Sequence, residues 1–566
     1  MASKQTTSVI ISGGRESTVT PTYENGTTSS DIFEPGYIDK SNGQLHYVPR
    51  GQESAGAGLS TDSITGYEAE QMQARASLIF EEEKKLLRRI DWHLMPLLSI
   101  CFLLKNIDAS NVSNVRIMNT GTDQNILKEL GMSSNEFNFV STIYYIPYII
   151  AEAPSNLFVK RLLPSKWQSR IMITWGITLC CHAAVKNKQG LYVARFFLGL
   201  LEAGLFPGVI LQLCYWYRPD EMSRRLLYFY MLGNFSTVIS GVLTYALNGI
   251  SGYSGLSGWQ WVFLIEGLVT VVFGISLTFL LPDFPPHARW LTEEEKAFIQ
   301  ARLPRNAPRS TEKNFDIREI LENLKDRKMW LFTLCWASFT VGTSGLTFYQ
   351  PTVVANLGFT SIAKSQLLNI PTAFLTIAII GIFGIWADTA HLPRPLFPLF
   401  FLFVIMACYS VLYTFPNTGS VYAATLIASS FASSWYPMMW PWRVQTTSRA
   451  TGSAFSIGFV NSYGQIGGAL GPQIFRSQYA PHYIVSFAIA MALVGFAIVM
   501  NLVTWWVTRR VEKETRVLKL ERMRAGERGE TVLEDVDIRE SESKSEEEGA
   551  RKRRERKEEE GSEKKV

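Results

Sequence analysis

The chain alternates long apolar runs with short polar connections through most of its length. Each run approaches the roughly 20 residues that an α-helix needs to cross a bilayer, and we number twelve of them as spans 1 to 12. Residues 1–88 and 509–566 are instead polar and charged. The pattern predicts an all-α membrane protein with spans near residues 94–115, 137–158, 169–186, 190–215, 226–250, 260–281, 329–355, 366–387, 395–415, 419–440, 452–475 and 483–507.

A polar stretch between spans 6 and 7 divides the spans into two sets of six. Within it, Thr292 followed by Glu295 is a capping-box pattern that predicts the start of a short surface helix. We therefore expect a disordered tail with a pre-membrane helix (1–88), a first six-helix bundle (89–282), a central loop (283–328), a second six-helix bundle (329–508) and a charged tail (509–566). The first part of the last tail can continue as a helix, and the remainder is expected to be disordered.

Basic residues predict the orientation of the spans, because cytoplasmic loops carry an excess of Lys and Arg. With the N-terminus inside, the short inner loops hold ten basic residues and the outer loops hold six. We expect both termini in the cytoplasm, a location in the plasma membrane, and a monomer.

Span 4 carries two charged side chains, Arg195 and Glu202, well inside its apolar run. A charge at bilayer depth costs at least about 2.5–3.5 kcal/mol, so it normally faces a protein interior or a watery cavity. Seven residues make two helical turns, which places both side chains on one face. Burial disfavours the charged form of a carboxylate, whereas a nearby cation favours it. A movement of the substrate or of a helix near Glu202 can therefore cause its carboxylate to bind or release a proton. The alternative is a static ion pair that holds span 4 against span 1 or span 11.

Span 1 carries a polar stripe at three-residue spacing, formed by Lys105, Asp108 and Asn111. A cation, a carboxylate and an amide can bind and orient a carboxylated solute. Asp108 and Glu266, an acid inside span 6, are further candidates for proton coupling. The structural alternative for the stripe is an internally neutralised pair that packs against span 6 or span 11.

Spans 10 and 11 offer neutral groups that can contact a solute. We take Asn461 and Tyr463 as candidates for hydrogen bonding, and Trp435 as a candidate wall for an aromatic or heterocyclic solute. Such residues also join helices to one another or form an interfacial aromatic belt, and those alternatives stay open.

Charged residues at the inner ends of spans 2 and 8 are candidates for a cytoplasmic gate. Glu152 lies near the end of span 2, and Asp388 and Arg394 follow span 8. The loop after span 2 also carries the basic residues Lys160, Arg161 and Lys166. Corresponding loops in the two halves thus carry polar clusters, as expected of transporters built from repeated bundles. The alternative is a helix-end charge network without a role in gating.

Several function classes are excluded by composition and motifs. A net charge of +5 is too small for so long a chain to indicate nucleic-acid binding. The sequence contains no Walker loop, and its six cysteines lack metal-ligand spacing. We expect no enzyme activity, no cofactor and no metal site.

Five sequence blocks in order resemble a known family. The chain resembles the fungal anion:cation symporter group of the major facilitator superfamily, which includes allantoate, nicotinate and pantothenate permeases. The resemblance covers about residues 88–515. The blocks are residues 152–157 (EAPSNL), 195–208 (RFFLGLLEAGLFPG), 258–263 (GWQWVF), 281–285 (LPDFP) and 471–477 (GPQIFRS).

The resemblance implies a proton-coupled symporter for a small organic anion such as a vitamin, ureide or carboxylate. It implies a role in anion binding or gating for Arg195 and in proton coupling for Glu202. The chain departs from the family in span 1, where residues 108–111 (DASN) lack the usual Arg. Lys105 either replaces that charge or marks an altered substrate. Gln260 likewise stands where an Arg is common.

Two other functions compete with symport. An exporter of a secondary metabolite can use the same fold, because fold does not determine the direction of transport. The charged C-terminal tail is also compatible with a nutrient sensor that does not transport. Span 5 lacks the Gly- and Pro-rich motif of many antiporters, which favours symport.

Overall fold

The structure confirms the predicted succession of helices. The computed structural model describes residues 45–50, 74–75, 77–218, 220–303, 317–357, 367–445, 450–479 and 482–534. A helix, or a pair of consecutive helices, stands at each predicted span. Within the described residues, spans 1, 4, 5, 6, 7, 8, 9 and 12 are long and apolar enough to cross a membrane. The expected disorder of the N-terminal 44 residues and of residues 535–566 lies outside the described residues.

The helices have the following bounds. Spans 1 to 6 are Phe80–Ile117, Ser134–Leu162, Pro164–Cys181, Lys188–Glu202 with Leu205–Trp216, Met222–Asn234 with Ser236–Asn248, and Gly258–Leu280. Spans 7 to 12 are Arg327–Asn356, Ile370–Asp388, Leu396–Thr414, Thr418–Gln445, Ala450–Gly464 with Ile466–Ile474, and Ile484–Glu527. Shorter helices are Ile126–Glu129, Glu293–Ala301 and Ile317–Lys325, with 3₁₀ turns at His182–Ala184, Tyr253–Gly255, Pro285–His287, Leu367–Asn369 and Ser477–Tyr479.

Span 4 is broken, although the sequence predicts one continuous helix. Gly204 has a φ of +95°, a left-handed conformation that glycine adopts without steric cost. Ser155 of span 2 occupies the place where a Cβ atom on Gly204 would lie. The second helix begins at Leu205 with Pro207 in its first turn, where proline is tolerated. Glu202 therefore ends the first helix, directly beside the break.

The chain forms two compact units. One consists of residues 89–288 and 308–508 and contains most of every span, and the other consists of residues 1–88, 289–307 and 509–566. The second unit contains the helix Glu293–Ala301, whose capping box between Thr292 and Glu295 confirms the expected helix start.

The second unit also contains a two-stranded antiparallel sheet, where we expected no regular structure. Strand β1 is Leu45–Pro49 and β2 is Glu530–Glu534, with Tyr47 opposite Val532 and Val48 opposite Thr531. Aromatic and β-branched residues favour such paired positions. The buried carboxylate of Glu83 pairs there with Arg50 and lies 2.9 Å from Nη1 of Arg302.

Span 11 approaches both halves of the bundle closely through glycines. A Cβ atom on Gly467 would overlap the backbone of Thr340 in span 7, and one on Gly468 would overlap the ring of Tyr145 in span 2. Small residues permit this approach of neighbouring helices. Span 11 is therefore held between the first and second sets of six spans.

The substitution Gly467→Ala tests this packing. The added methyl group would meet the backbone carbonyl carbon of Thr340, which cannot rotate away as a side chain can. Overpacking of this kind typically costs about 1–3 kcal/mol of folding stability. We expect a lower melting temperature for the purified variant. Gly419→Ala is the matched control, because Gly419 is exposed and its nearest potential contact is Asn417 at 3.5 Å. Equal melting temperatures for both variants would contradict the close packing.

The substitution Glu83→Gln tests the ion pairs of the second unit. Removing one partner of a buried ion pair costs about 3–5 kcal/mol. Amide hydrogen exchange in residues 80–88 and 293–301 should therefore accelerate at least tenfold. Glu81→Gln removes the same charge from an exposed position of the same helical turn, and should leave the exchange unchanged. Unchanged exchange in both variants would show that Glu83 does not stabilise this unit.

Candidate functional site

A cavity of about 360 Å³ lies between the two sets of six spans. Spans 1, 2, 4 and 5 contribute one wall and spans 7, 8, 10 and 11 contribute the other, together with Asn369 just before span 8. Cavities of this size hold small molecules in other proteins. We therefore take this cavity as the candidate functional site.

Within the described part of the chain, four charged side chains line the cavity. We call these residues, Lys105, Asp108, Arg195 and Glu202, the charged quartet. Lys105 Nζ lies 3.1 Å from Glu202 Oε1, and Arg195 Nη1 lies 4.0 Å from Asp108 Oδ1. Asp108, Arg195 and Glu202 are each less than 5% exposed. Each ion pair thus joins span 1 to span 4, and the two charges of span 4 do not pair with each other.

Neighbouring side chains orient the quartet, but they do not form hydrogen bonds with all of its polar atoms. Trp175 Nε1 donates to Asp108 Oδ2 over 3.0 Å, and the Arg195 guanidinium lies 5.0 Å from the Phe263 ring centre. Asp108 Oδ1 and Arg195 Nε are buried and have no hydrogen-bond partner within the described part of the chain. Buried polar groups normally have a partner. Asp108 and Arg195 both line the cavity, so some hydrogen-bonding capacity of the quartet is left unused by the described residues.

Tyrosines of span 2 form the next part of the wall, and sequence reasoning missed them. Tyr144, Tyr145 and Tyr148 all line the cavity, and Lys105 Nζ lies 5.3 Å from the Tyr148 ring centre. Their spacing in the sequence STIYYIPYII puts three hydroxyl-bearing rings on adjoining helix faces. Polar-tipped aromatics in the middle of an apolar span are the signal that could have identified them.

Asn461 and Glu152 meet across the two halves. Asn461 lines the cavity and donates a hydrogen bond to Glu152, which is fully buried. Tyr148 also donates to Glu152 Oε1 over 3.3 Å. This contact joins span 2 to span 11, and Glu152 is the one of these three residues that lies outside the described cavity lining.

Asp388 and Arg394 both contact the start of span 5. Asp388 Oδ2 lies 3.4 Å from Arg224 Nη2, and the buried Arg394 donates to Ser223. These contacts join the second set of spans to the first at the side predicted to be cytoplasmic. Their position suits a latch, which stays a prediction.

Four of the residues predicted to bind substrate or couple protons lie outside the described lining of the cavity, namely Asn111, Glu266, Trp435 and Tyr463. Asn111 accepts hydrogen bonds from Ser240 and Thr244 of span 5, so it joins two helices. Glu266 is buried in span 6, and neither of its carboxylate oxygens has a hydrogen-bond partner among the described residues.

The two aromatic candidates point away from the cavity because of helix phase. Trp435 is buried against Phe339, with ring centres 3.9 Å apart, and its neighbour Tyr436 lines the cavity instead. Tyr463 is 47% exposed and packs on Phe459. Successive residues of a helix point in directions about 100° apart. A small error in the predicted rotation of a helix therefore assigns a neighbouring residue to the cavity face.

The contacts of Glu152, Asp388 and Arg394 form one contact layer between the two halves. A second contact layer, which the sequence did not predict, lies at the opposite end of the cavity. Tyr349 of span 7 donates to Asn138 of span 2 over 2.8 Å. Arg116 of span 1 lies over the Tyr349 ring at 4.4 Å and donates to Asn138 over 3.3 Å. The two halves therefore contact each other on both sides of the cavity.

Known proteins resemble this chain in sequence and in fold. The MFS-type transporter cnsO of Penicillium expansum is 29% identical over 442 residues, which cover 76% of this chain and 84% of that protein. A putative tartrate transporter of Agrobacterium vitis is 30% identical over 307 residues, which cover 54% of this chain and 65% of that protein. The solved structure of the proton:xylose symporter XylE of E. coli matches with a TM-score of 0.57 at 15% identity, covering 73% of this chain and 95% of that chain.

A likeness at 15% identity supports the fold alone, whereas the match to a family model concerns the sequence itself. Residues 100–472, about two thirds of the chain, match the model of the Major Facilitator Superfamily. The chain therefore belongs to the major facilitator superfamily, a family of membrane transporters.

Proposed function

We propose that the protein is a proton-coupled symporter of a small organic anion. The observation that carries this proposal is the charged quartet, which places two cations and two carboxylates on one wall of the cavity. Buried ionisable groups in membrane spans are costly and mark substrate and proton pathways. Transport then proceeds by alternating access of this cavity to the two sides of the membrane.

Arg195 is the proposed anion-binding residue. Its guanidinium is buried, faces the cavity, and is 4.0 Å from its nearest carboxylate. That separation is longer than the 2.7–2.9 Å typical of a charge-assisted hydrogen bond. A carboxylate entering the cavity can therefore form shorter hydrogen bonds with Arg195 than Asp108 does.

Proton coupling follows from the pairing of cations with carboxylates. A substrate carboxylate that approaches Lys105 competes with Glu202 for the same ammonium group. A carboxylate that loses its cationic partner in a buried site favours its neutral, protonated form. Binding of the anion and binding of a proton thus support each other, as symport requires.

The two contact layers are the proposed gates. On the predicted cytoplasmic side, the contacts are Glu152 with Asn461, Asp388 with Arg224, and Arg394 with Ser223. On the opposite side they are the contacts of Asn138 and Arg116 with Tyr349. We propose that the layers open in alternation in a monomer of the plasma membrane, with both termini in the cytoplasm. The relative named as a putative tartrate transporter supports a carrier of an organic anion.

The substitution Glu202→Gln tests proton coupling. The variant keeps a side chain that can bond to Lys105 but cannot take up a proton, so accumulation driven by a pH gradient should fall to background. Counterflow exchange needs no net proton movement and should persist. Both rates are measured in proteoliposomes with the radiolabelled carboxylate that most raises the melting temperature of the purified protein.

The control for this experiment is Glu136→Gln. Glu136 lies in the first turn of span 2 and outside the cavity lining, so this variant removes a charge that is not part of the site. It should transport as the unmodified chain does. Native pH-driven accumulation in Glu202→Gln would exclude Glu202 as the coupling residue.

The substitution Arg195→Gln tests anion binding. Loss of a buried cationic donor should weaken carboxylate binding at least 100-fold, because hydrogen bonds to charged groups contribute more than neutral ones. The double variant Arg195→Gln with Asp108→Asn keeps the site neutral and should remain folded, yet it should still fail to bind. Binding is measured by calorimetry on the purified chain.

Arg170→Gln serves as the control, since Arg170 lies over the Trp167 ring and outside the cavity lining. Tight carboxylate binding by the folded double variant would assign the anion to another residue.

A further inference from the structure

The two walls of the cavity differ sharply in charge. All charged side chains in the described lining belong to the quartet and come from spans 1 and 4. The wall formed by spans 7, 8, 10 and 11 presents hydroxyl and amide groups and aromatic carbon. The neutral polar side chains of that wall include Gln350, Asn369, Thr372 and Tyr436.

Three of these residues form a fixed cluster, which we call the amide cluster: Gln350, Asn369 and Thr372. Gln350 Nε2 donates to Asn369 Oδ1 over 3.1 Å and to Thr372 Oγ1 over 2.9 Å. All three side chains are 5–6% exposed and line the cavity. Their mutual hydrogen bonds hold neutral donors and acceptors in place before a solute arrives.

A solute that spans the cavity therefore meets opposite requirements at its two ends. One carboxylate finds Arg195 and Lys105 at the charged wall. A second carboxylate at the other end finds no cation in the described lining, and a buried charge without a partner is strongly disfavoured. An apolar end would cover the polar groups of the amide cluster and offer them no hydrogen bond, which is also unfavourable.

We infer that the cavity selects a carboxylate monoanion whose other end is an uncharged hydrogen-bonding group, such as an amide or a hydroxyl. The carboxylate binds Arg195 and Lys105, and the neutral end meets the amide cluster. This inference rests on the proposed function, because it assigns the orientation and class of the anion in the same cavity. The rings of Tyr144, Tyr148 and Tyr436 also line the cavity and offer apolar surface to the middle part of the solute.

Four probes with one benzene scaffold test the selection. They are 4-carbamoylbenzoate (monoanion with an amide end), terephthalate (dianion), terephthalamide (neutral) and 4-methylbenzoate (monoanion with an apolar end). Binding of each to the purified full chain is measured by calorimetry and by the shift in melting temperature. We expect 4-carbamoylbenzoate to bind at least tenfold more tightly than each of the other three.

The other outcomes separate the inference from the proposed function. Terephthalate or 4-methylbenzoate binding as tightly as 4-carbamoylbenzoate would overturn the selection and leave anion binding intact. Terephthalamide binding as tightly would overturn the proposed anion function itself. Failure of all four probes to bind would count against both.

A gain of charge on the neutral wall provides an independent test. Gln350→Lys places a cation where the second carboxylate of terephthalate would lie, so the ratio of terephthalate to 4-carbamoylbenzoate affinity should rise at least tenfold. Gln189→Lys adds the same charge at an exposed position of span 4 and should leave the ratio unchanged. A folded Gln350→Lys variant with the unmodified ratio would place the neutral end of the solute elsewhere.

Discussion

Charge carried into the interior of a membrane helix bundle must be balanced locally, and this constraint determines the centre of the molecule. Each unbalanced charge at that depth costs at least about 2.5–3.5 kcal/mol. Lys105 and Asp108 on span 1 meet Glu202 and Arg195 on span 4, so that each cation faces one carboxylate. Because the two spans are tied by their charges, any anion or proton that enters the cavity changes a balance on which their packing depends.

The surrounding fold places this charged centre in the wall of the cavity. The break at Gly204 ends the first helix of span 4 at Glu202, so a carboxylate stands at a helix end beside the cavity. On the other side, the glycines of span 11 bring it against spans 2 and 7. Asn461 of span 11 also donates a hydrogen bond to Glu152 of span 2, so the same span takes part in a polar contact between the two halves.

The sequence was informative where one chemical property dominates and uninformative where tertiary contacts decide. Apolar runs long enough to cross a bilayer predicted the fold class, which the structure confirms, and charges inside those runs predicted the quartet's members. It could not predict that Arg195 pairs with Asp108 rather than with Glu202, because that choice depends on how span 1 lies beside span 4. Trp435 was chosen where Tyr436 lines the cavity, since one residue of helix phase separates them. Strands β1 and β2 were missed because Leu45 and its partner Glu534 lie far apart in the sequence. The composition around each strand also resembles that of disordered chain.

Parallel measurement of carboxylate and proton influx tests the role of the charged quartet most directly. The unmodified chain is reconstituted in proteoliposomes whose membrane potential is held at zero, and influx of a radiolabelled carboxylate and internal acidification are recorded together. If anion binding frees a carboxylate of the quartet to take up a proton, at least one proton enters with each carboxylate at every external pH at which transport occurs. Carboxylate influx without accompanying acidification would contradict this coupling. The two ion pairs of the quartet would then have a structural role only.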